Sequence, residues 1–489
     1  MSVRRPQYTR VPIAHRPAAE RIRDFDEVVL TYRDDEAVAE AQRCLQCYKP
    51  ACELACPNHN PIKSFIRLVS EGRAEEAAGM LWAHNAISSC TGRVCAWENQ
   101  CEGACPLGRK GEPVAIGALE RYLAEKALSA QFPEGRPSLA AAWPHGRAAI
   151  EVGDVAVVGA GPAGLSCANV LSRRGYRVTV LDAWVAPGGV MSYGIPEFVL
   201  PKKTVASEVE RLRRQGIRFV QEVVVGRDVT VDGLFEMGFR AVFLGIGANE
   251  PVKMGVLGED LPGVVSAKDF LMAVAAAQLG DRRPAGQDMD LTGKRVIVIG
   301  AGNTAMDAAR TALRLGALDV SILYRRAREH SPSRPVEMAL AEEEGVRFEF
   351  LVAPQRFLGE NGRLVAAEVV RMRLGAPDSS GRPSPEPIEG SEYVIPIDVA
   401  ILAVGYRVER DLTAATPGLE AGRGGRILVK DDRGMTSKGA VWAGGDCVTG
   451  ANTVVHAVAA GRLAAEAIAA YLQGASRAEA PAASPAGAG

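Results

Sequence analysis

The chain has 489 residues, 47% of them hydrophobic, and 57 Lys and Arg residues balance 58 Asp and Glu residues. This length is enough for about two to four domains, and the balanced charge gives no reason to expect nucleic acid or an anionic membrane as a partner. No apolar core follows the N-terminal arginines, and no stretch offers about 18 uninterrupted apolar residues, so we expect a cytoplasmic protein without a signal peptide or membrane span.

Cysteines are concentrated near the N-terminus. Eight of the ten lie between Cys44 and Cys105, and in the reducing cytoplasm such a group indicates metal or redox chemistry rather than disulfides. Each of two runs ends in C-x3-C followed by proline. The first run contains Cys44, Cys47, Cys52 and Cys56, and the second contains Cys90, Cys95, Cys101 and Cys105.

The spacing favours iron–sulfur clusters over zinc. Paired zinc sites usually show two C-x2-C pairs, and only one occurs here. In two-cluster ferredoxins the last cysteine of one run ligates the other cluster. That logic predicts two [4Fe–4S] clusters: one held by Cys44, Cys47, Cys52 and Cys105, and one held by Cys56, Cys95, Cys101 and one more ligand.

Two residues remain candidates for that last ligand, Cys90 and Glu120. Residues 20–130 are predicted to be mostly helical, with helices over 64–85, broken at Gly72, and over 115–128. Glu120 lies on the apolar face of the latter helix. A carboxylate there is costly unless it is paired or bound to a metal, although it could also reach water from the edge of the apolar stripe.

From Asp154 onward, short β-branched runs alternate with helices, which predicts parallel sheets covered by helices. Residues 129–147 are predicted to be a linker, and the Pro- and Ala-rich tail over 478–489 to be disordered. Directly after the first strand stands a G-x-G-x-x-G motif, which suits a tight turn, a close approach to a pyrophosphate and helix–strand packing. Its residues are Gly159, Gly161 and Gly164, and Asp182 ends the next strand, where a carboxylate can accept from a ribose hydroxyl.

A second turn of this kind follows 141 residues later, with Gly300, Gly302 and then Asn303 and Thr304 as candidate nucleotide-binding residues. At the place corresponding to Asp182 stand Arg325 and Arg326. Guanidinium groups pair with a 2′-phosphate that a carboxylate would repel, so the second site is predicted to prefer NADPH. The alternative is a solvated charge run on a loop.

The first site is predicted to hold FAD. A further glycine turn at Gly189 follows Asp182, and the "LGIGA" (244–248) and "LAVGY" (402–406) segments are predicted to end strands beside that cofactor. Gly445 and Asp446 start a helix near the C-terminus, where Asp446 could bond the ribityl chain. The predicted domains are a helical cluster domain with linker (1–150), a flavin domain (151–290 and 398–489) and an NADP(H) domain (291–397).

This layout resembles the pyridine-nucleotide disulfide oxidoreductase fold, but no C-x-x-C follows Cys105 to receive electrons from the flavin. The segments "KSFIRLVSEGRAEEA", "WENQCEGAC", "GEPVAIGALERY", "GAGPAGL", "YGIPEFVLPK", "GAGNTAMD" and "YRRAREHSP" occur in order. They resemble the small (β) subunit of NADPH-dependent glutamate synthase and related FAD/iron–sulfur NAD(P)H oxidoreductases. The expected fold is therefore α/β, with two nested Rossmann-like domains preceded by a helical iron–sulfur domain.

The resemblance implies FAD, NADP(H) and two [4Fe–4S] clusters, one of them with a non-cysteine ligand in several family members. The residue matching Glu120 is Glu or Gln in that family. The family cysteine often stands one position closer to "GRVC", where this chain has Thr91, so Cys90 is offset and the resemblance favours Glu120 as the ligand.

The implied function is electron input. NADPH would reduce FAD, and single electrons would pass through the clusters to a partner subunit, foremost the large subunit of glutamate synthase. The alternative acceptors are ferredoxin, a pyrimidine-reducing subunit of the dihydropyrimidine dehydrogenase type and a sulfide dehydrogenase-type partner. A rival from another class is a zinc-stabilised interaction module without electron transfer. No catalytic acid–base side chain is predicted.

Overall fold

The computed structural model describes residues 7–139, 149–281, 290–378 and 381–479. The first of these ranges is helical. Its helices are α1 (Ala18–Arg21), α2 (Asp34–Ala41), α3 (Ala51–Ala55), α4 (Ile62–Ser70), α5 (Ala74–His84), α6 (Ser88–Val94) and α7 (Ile116–Gln131). The break predicted at Gly72 separates α4 from α5. Residues 140–147 of the predicted linker and 480–489 of the predicted tail lie outside the described residues, and residues 129–131 of that linker belong to α7.

The next range starts the α/β part of the chain. Its strands are β1 (Val155–Val158), β2 (Val178–Leu181), β3 (Arg218–Val220), β4 (Ala241–Leu244), β5 (Glu250–Pro251) and β6 (Val264–Ser266). Its helices are α8 (Pro162–Arg173), α9 (Val190–Tyr193), α10 (Lys202–Arg214), α11 (Val231–Glu236) and α12 (Ala267–Leu279).

The remaining elements complete two parallel sheets and form a separate antiparallel sheet. The strands are β7 (Arg295–Ile299), β8 (Asp319–Tyr324), β9 (Arg347–Phe350), β10 (Val352–Glu360), β11 (Arg363–Pro377), β12 (Pro383–Pro387), β13 (Tyr393–Pro396), β14 (Val399–Leu402), β15 (Tyr406–Arg407) and β16 (Val441–Ala443). The helices are α13 (Asn303–Arg314), α14 (Pro335–Glu343), α15 (Asp411–Ala414), α16 (Asp446–Thr449) and α17 (Val454–Glu479).

The first parallel sheet has the order β16-β4-β1-β2-β3. Strand β16 comes from the C-terminal part of the chain and pairs in register with β4. The part of the chain that forms the first sheet is thus interrupted by a second unit and completed after it. Every residue of β1 is buried, which is the burial expected of a parallel strand covered on both faces.

The second parallel sheet has the order β6-β14-β7-β8-β9. Strands β6 and β14 both lie outside 291–397, so the predicted limits of the NADP(H) domain are too narrow. The prediction that "LAVGY" ends a strand of the flavin sheet is wrong, because β14 pairs with β6 and β7. Short buried strands of two parallel sheets have the same apolar composition, so pattern alone does not assign them.

An antiparallel sheet, β10-β11-β12 with β13 paired to β11, is inserted between β9 and β14. Among the described helices, α17 contains a stretch, Val454–Gly474, that is long and apolar enough to cross a membrane by length and composition. Half of that stretch is buried inside the protein. Its buried side chains, such as Val458 and Ile468, belong to the same core cluster as β1.

Candidate cofactor and iron–sulfur sites

A cavity of about 330 Å³ lies where the two parallel sheets meet. Gly159 and Gly161 of the first turn line it, and so do Asn303 and Thr304, which follow the second turn, so two candidate dinucleotide sites face one space. The predicted cofactor residues in its lining are Gly159, Gly161, Asp182, Gly189, Asn303, Thr304, Gly445 and Asp446.

Each glycine of the first turn has a different role. Gly159 has φ +98°, and a Cβ there would lie 2.4 Å from the carbonyl oxygen of Gly245. A Cβ on Gly164 would lie 1.9 Å from the carbonyl oxygen of Gly159. Gly161 has φ −74°, and its nearest neighbour would be the Gly189 Cα at 3.9 Å. The fold therefore requires the outer glycines, whereas Gly161 leaves room for a ligand.

Asp182 is buried at the carboxyl end of β2, where its side chain also orders the turn. Oδ2 accepts from the Ala160 amide at 2.5 Å, and Oδ1 accepts from the Trp184 amide at 2.8 Å. Two carboxylate oxygens offer about four acceptor positions. The carboxylate can therefore support the glycine turn and still accept a bond from a ligand in the cavity.

Gly445 and Asp446 start α16 close to the first glycine turn, since a Cβ on Gly445 would lie 3.1 Å from the Ala163 Cβ. Gly445 has φ +77°, and the Asp446 Oδ1 accepts from the Asn452 amide at 3.2 Å. Burial raises the pKa of Asp446 to about 6. This half-buried carboxyl group faces the same space as Gly161.

The second glycine turn repeats the geometry of the first. Gly300 has φ +124°, and a Cβ there would lie 2.4 Å from the Ala403 carbonyl oxygen, just after β14. Gly302 has φ −83°, and its nearest neighbour would be Pro332 Cγ at 3.8 Å. The wrongly assigned "LAVGY" segment therefore lies against Gly300 in the same way as the "LGIGA" segment lies against Gly159.

The two arginines after β8 have different surroundings. Arg326 is 4% exposed, and it donates to the Pro383 carbonyl at 2.8 Å and to the Asp378 carboxylate at 2.7 Å. Arg325 is exposed. The predicted pair is therefore divided: Arg326 ties β8 to the antiparallel sheet, and Arg325 is the one presented to solvent.

The four thiols predicted for the first cluster line one small cavity. This group, Cys44, Cys47, Cys52 and Cys105, combines three members of the first run with the last member of the second run, and all four are partly exposed. In the described part of the chain, no three or more His, Cys, Asp and Glu side chains converge closely enough to hold a single metal ion.

The residues predicted for the second cluster form another group. Cys56, Cys95 and Cys101 are buried, and burial raises the pKa of the Cys95 and Cys101 thiols well above the usual value. The neighbouring charges of Glu120 and Cys56 raise the pKa of Cys95 further. Such mutual effects require these side chains to lie close together.

Glu120 is buried on α7, and burial raises its pKa to about 7. Its Oε1 accepts from the Thr91 hydroxyl at 2.5 Å and from the Asn85 amide at 3.2 Å. Cys90, one residue before Thr91, points away from this group. Its thiol is fully buried in the core cluster of the flavin domain. Adjacent residues of a helix are about 100° apart around its axis. Thr91 therefore contacts Glu120, whereas Cys90 packs in the apolar core.

Sequence reasoning missed several side chains that line the cavity near Thr304: Asp307, Arg334, Glu337 and Tyr406. Asp307 follows Asn303 by four residues on α13, so helical periodicity could have identified it. Burial, followed by the charge of Glu337, raises the pKa of Asp307 well above its usual value. Arg334 is far away in the sequence and no motif there indicates it, whereas Tyr406 ends the "LAVGY" segment already singled out in the sequence.

Comparison with known proteins agrees with this geometry. The family model described as dihydropyrimidine dehydrogenase domain II, 4Fe-4S cluster matches residues 21–132, and the pyridine nucleotide-disulphide oxidoreductase model matches residues 153–461. The glutamate synthase [NADPH] small chain of Halomonas elongata is 39% identical over 461 residues, which are 94% of this chain and 95% of that protein. The chain belongs to the glutamate synthase small-chain family. The predicted family, fold class and enzyme class are thereby confirmed.

Other relatives show how widely this family extends. The Escherichia coli glutamate synthase [NADPH] small chain is 38% identical over 469 residues, covering 95% of this chain and 97% of its own. The putative oxidoreductase AegA of the same organism is 40% identical over 450 residues, covering 91% of this chain and 67% of its own. Small-chain relatives thus include parts of longer oxidoreductases.

Solved structures show the fold of the α/β part. Mycobacterium tuberculosis FprA in complex with NADPH has a TM-score of 0.56 at 22% identity, covering 68% of this chain and 87% of that one. The thioredoxin reductase of T. acidophilum has a TM-score of 0.50 at 20% identity, covering 66% of this chain and 99% of that one. These likenesses confirm the nested arrangement of two Rossmann-like domains.

Proposed function

We propose that this oxidoreductase takes electrons from NADPH onto FAD and delivers them singly through two [4Fe–4S] clusters to the large chain of glutamate synthase. The observation that carries the proposal is the shared cavity. It touches the first glycine turn, the residues Asn303 and Thr304 that follow the second turn, and Val94, the neighbour of Cys95. An electron donor, a flavin and a cluster could thus occupy one continuous path.

The residues present fit the proposed cofactors. Gly161 and the N-terminus of α8 suit the pyrophosphate of FAD, Asp182 its ribose and Asp446 its ribityl chain. Gly302, Asn303 and the N-terminus of α13 suit NADPH in the same way. When bound, a flavin accepts two electrons together and releases them singly, as iron–sulfur clusters require. The protein supplies position, insulation and charge.

The different burial of the two groups of thiols indicates the order in which electrons would pass through the proposed clusters. Cys56, Cys95 and Cys101 are buried, and Val94, the neighbour of Cys95, lines the cavity, whereas the thiols of the first group are partly exposed. We infer that electrons reach the buried cluster first and leave from the exposed one. Exposed apolar side chains stand in the same run as the exposed thiols: Tyr48 is 92% exposed, Leu54 75% and Leu45 47%.

Large exposed apolar groups beside an electron exit suit a protein interface, and we assign this surface to the large chain.

With the large chain of glutamate synthase present, NADPH should support glutamate formation from glutamine and 2-oxoglutarate. Without it, the chain should reduce only small acceptors such as a dye. The double variant Leu54→Arg with Tyr48→Ala should keep dye reduction and lower coupled glutamate formation at least about tenfold, because a buried unpaired charge costs several kcal/mol.

Leu318→Arg is the matched control, since Leu318 is 73% exposed and lies in the second parallel sheet's domain. It should leave both activities unchanged. If the chain reduces ferredoxin rapidly and supports no glutamate formation with any large chain, the ferredoxin alternative replaces this partner. A yellow, iron-free protein that contains zinc would instead favour the zinc-stabilised module.

Because Arg325 is exposed and Arg326 is bonded within the protein, variants of these two residues test the nucleotide preference. Arg325→Ala should raise the KM for NADPH about 10- to 100-fold and leave the KM for NADH nearly unchanged, because one charge-assisted hydrogen bond contributes about 1.5–3 kcal/mol. Arg326→Ala should affect both nucleotides alike and lower the melting temperature, because it breaks the bonds to Pro383 and Asp378. Steady-state kinetics with both nucleotides distinguish the two variants; equal effects of Arg325→Ala would show that it does not contact the 2′-phosphate.

A further inference from the structure

Arg334 joins the nucleotide domain to the loop between Cys95 and Cys101. Its backbone amide donates to the Asn303 Oδ1 at 2.9 Å, at the start of the nucleotide helix α13. Its guanidinium group donates to both carboxylate oxygens of Glu98, at 3.0 and 3.2 Å. The side chain is buried and also lines the shared cavity. One residue thus contacts the second glycine turn and the segment that carries two cluster ligands.

The contact continues to the helix that carries Glu120. The guanidinium carbon of Arg334 lies 4.2 Å from the centre of the Trp97 ring. That ring packs directly over Gly117 on α7, where a Cβ would lie 2.1 Å from it. Gly117 precedes Glu120 by about one helical turn. Arg334, Trp97 and Gly117 therefore form a packed line from the cavity to the proposed carboxylate ligand.

The charges of this pair act on the buried cluster in opposite directions. A cluster gains one negative charge when it is reduced, and nearby charges shift its reduction potential. The buried cation of Arg334 favours the reduced form. The carboxylate of Glu98 disfavours the reduced form. Burial limits the screening of the Arg334 charge by salt, whereas the Glu98 side chain is one third exposed.

We propose that Arg334 and Glu98 are positioning residues that hold the cluster of Cys56, Cys95 and Cys101 against the dinucleotide cavity and set its reduction potential. This inference rests on the proposed presence of that second cluster. Arg334 raises the potential and Glu98 lowers it. Together they keep the loop close to the cavity without leaving a buried charge unpaired.

The test is a redox titration of the anaerobically purified full chain, followed by the EPR signal of each reduced cluster. Arg334→Gln should lower the equilibrium constant for reducing the buried cluster about tenfold, which is about 59 mV for one electron. Glu98→Gln should raise that constant, and the double variant should lie between the two. Arg334→Lys keeps the charge and should lie closer to the unaltered protein than Arg334→Gln does.

Arg328→Gln is the control, because Arg328 forms an exposed ion pair with Glu342 in the same domain. It should leave both cluster potentials unchanged. If Arg334→Gln and Glu98→Gln shift the potential in the same direction, or not at all, the assigned electrostatic role is overturned. If Arg334→Gln does not fold, Glu98→Gln and Arg334→Lys still decide the sign. An unaltered chain with only one cluster signal would instead overturn the two-cluster function on which the inference rests.

Discussion

Replacing Glu120 with alanine is expected to remove the buried cluster, whereas replacing Cys90 with alanine should leave both clusters in place. Glu120 is buried within interaction range of Cys56 and Cys95, and Thr91 and Asn85 hold its Oε1. Iron content should fall from about eight to about four atoms per chain, the content of one [4Fe–4S] cluster. Iron and sulfide analysis with EPR measures this loss.

Variants of Cys90 and Cys56 are the controls for this prediction. Cys90→Ala removes a thiol from the apolar core of the flavin domain, so its expected effect is on stability, at about 1–3 kcal/mol. Cys56→Ser should damage the same cluster as Glu120→Ala, although Cys56 stands in the first cysteine run. Loss of a cluster in Cys90→Ala, with Glu120→Ala intact, would reverse the ligand assignment.

Gly161→Val should abolish FAD binding without unfolding the protein. The backbone at Gly161 has φ −74°, which any residue can adopt, and its Cβ position opens toward the cavity. A valine there would occupy the space through which the pyrophosphate approaches the backbone. We expect FAD to bind at least about 100-fold more weakly, because closing a close-packed site costs several kcal/mol. Flavin absorbance and circular dichroism measure cofactor and fold separately.

Two other glycines provide the controls. Gly302→Val, at the equivalent position of the second turn, should retain FAD and lose its reduction by NADPH, while dithionite still reduces the flavin. Gly164→Val should fail to fold, because its Cβ would lie 1.9 Å from the Gly159 carbonyl oxygen. Normal FAD content in Gly161→Val would show that the cofactor does not approach this turn.

The cysteine grouping was predictable from spacing alone. The exchange of Cys56 and Cys105 between the two groups follows the ligand pattern of two-cluster ferredoxins, and in the structure Cys44, Cys47, Cys52 and Cys105 line one cavity. The choice between Cys90 and Glu120 was not predictable from the residues, because it depends on the direction in which one turn of α6 points. That direction is set by how α6 packs between α7 and the flavin domain.

The arginines after β8 show a similar limit. Two neighbouring guanidinium groups look equivalent in the sequence, yet Arg326 is bonded to strand β12 and its approach, more than 50 residues later. The role of Arg334 depends on Glu98, which stands 236 residues earlier. No local pattern contains such a pairing.

The sequence by itself determined the fold class, both glycine turns, the cofactor types they suit and the division of the thiols into two groups. These features depend on backbone conformation and on ligand spacing within a few residues. Only the tertiary structure decided which sheet received β6 and β14, where Cys90 and Arg326 point, and how Arg334 reaches the cluster loop. Those outcomes depend on the packing of distant segments. The local sequence of an apolar strand or a charged side chain does not indicate which distant segment it will contact.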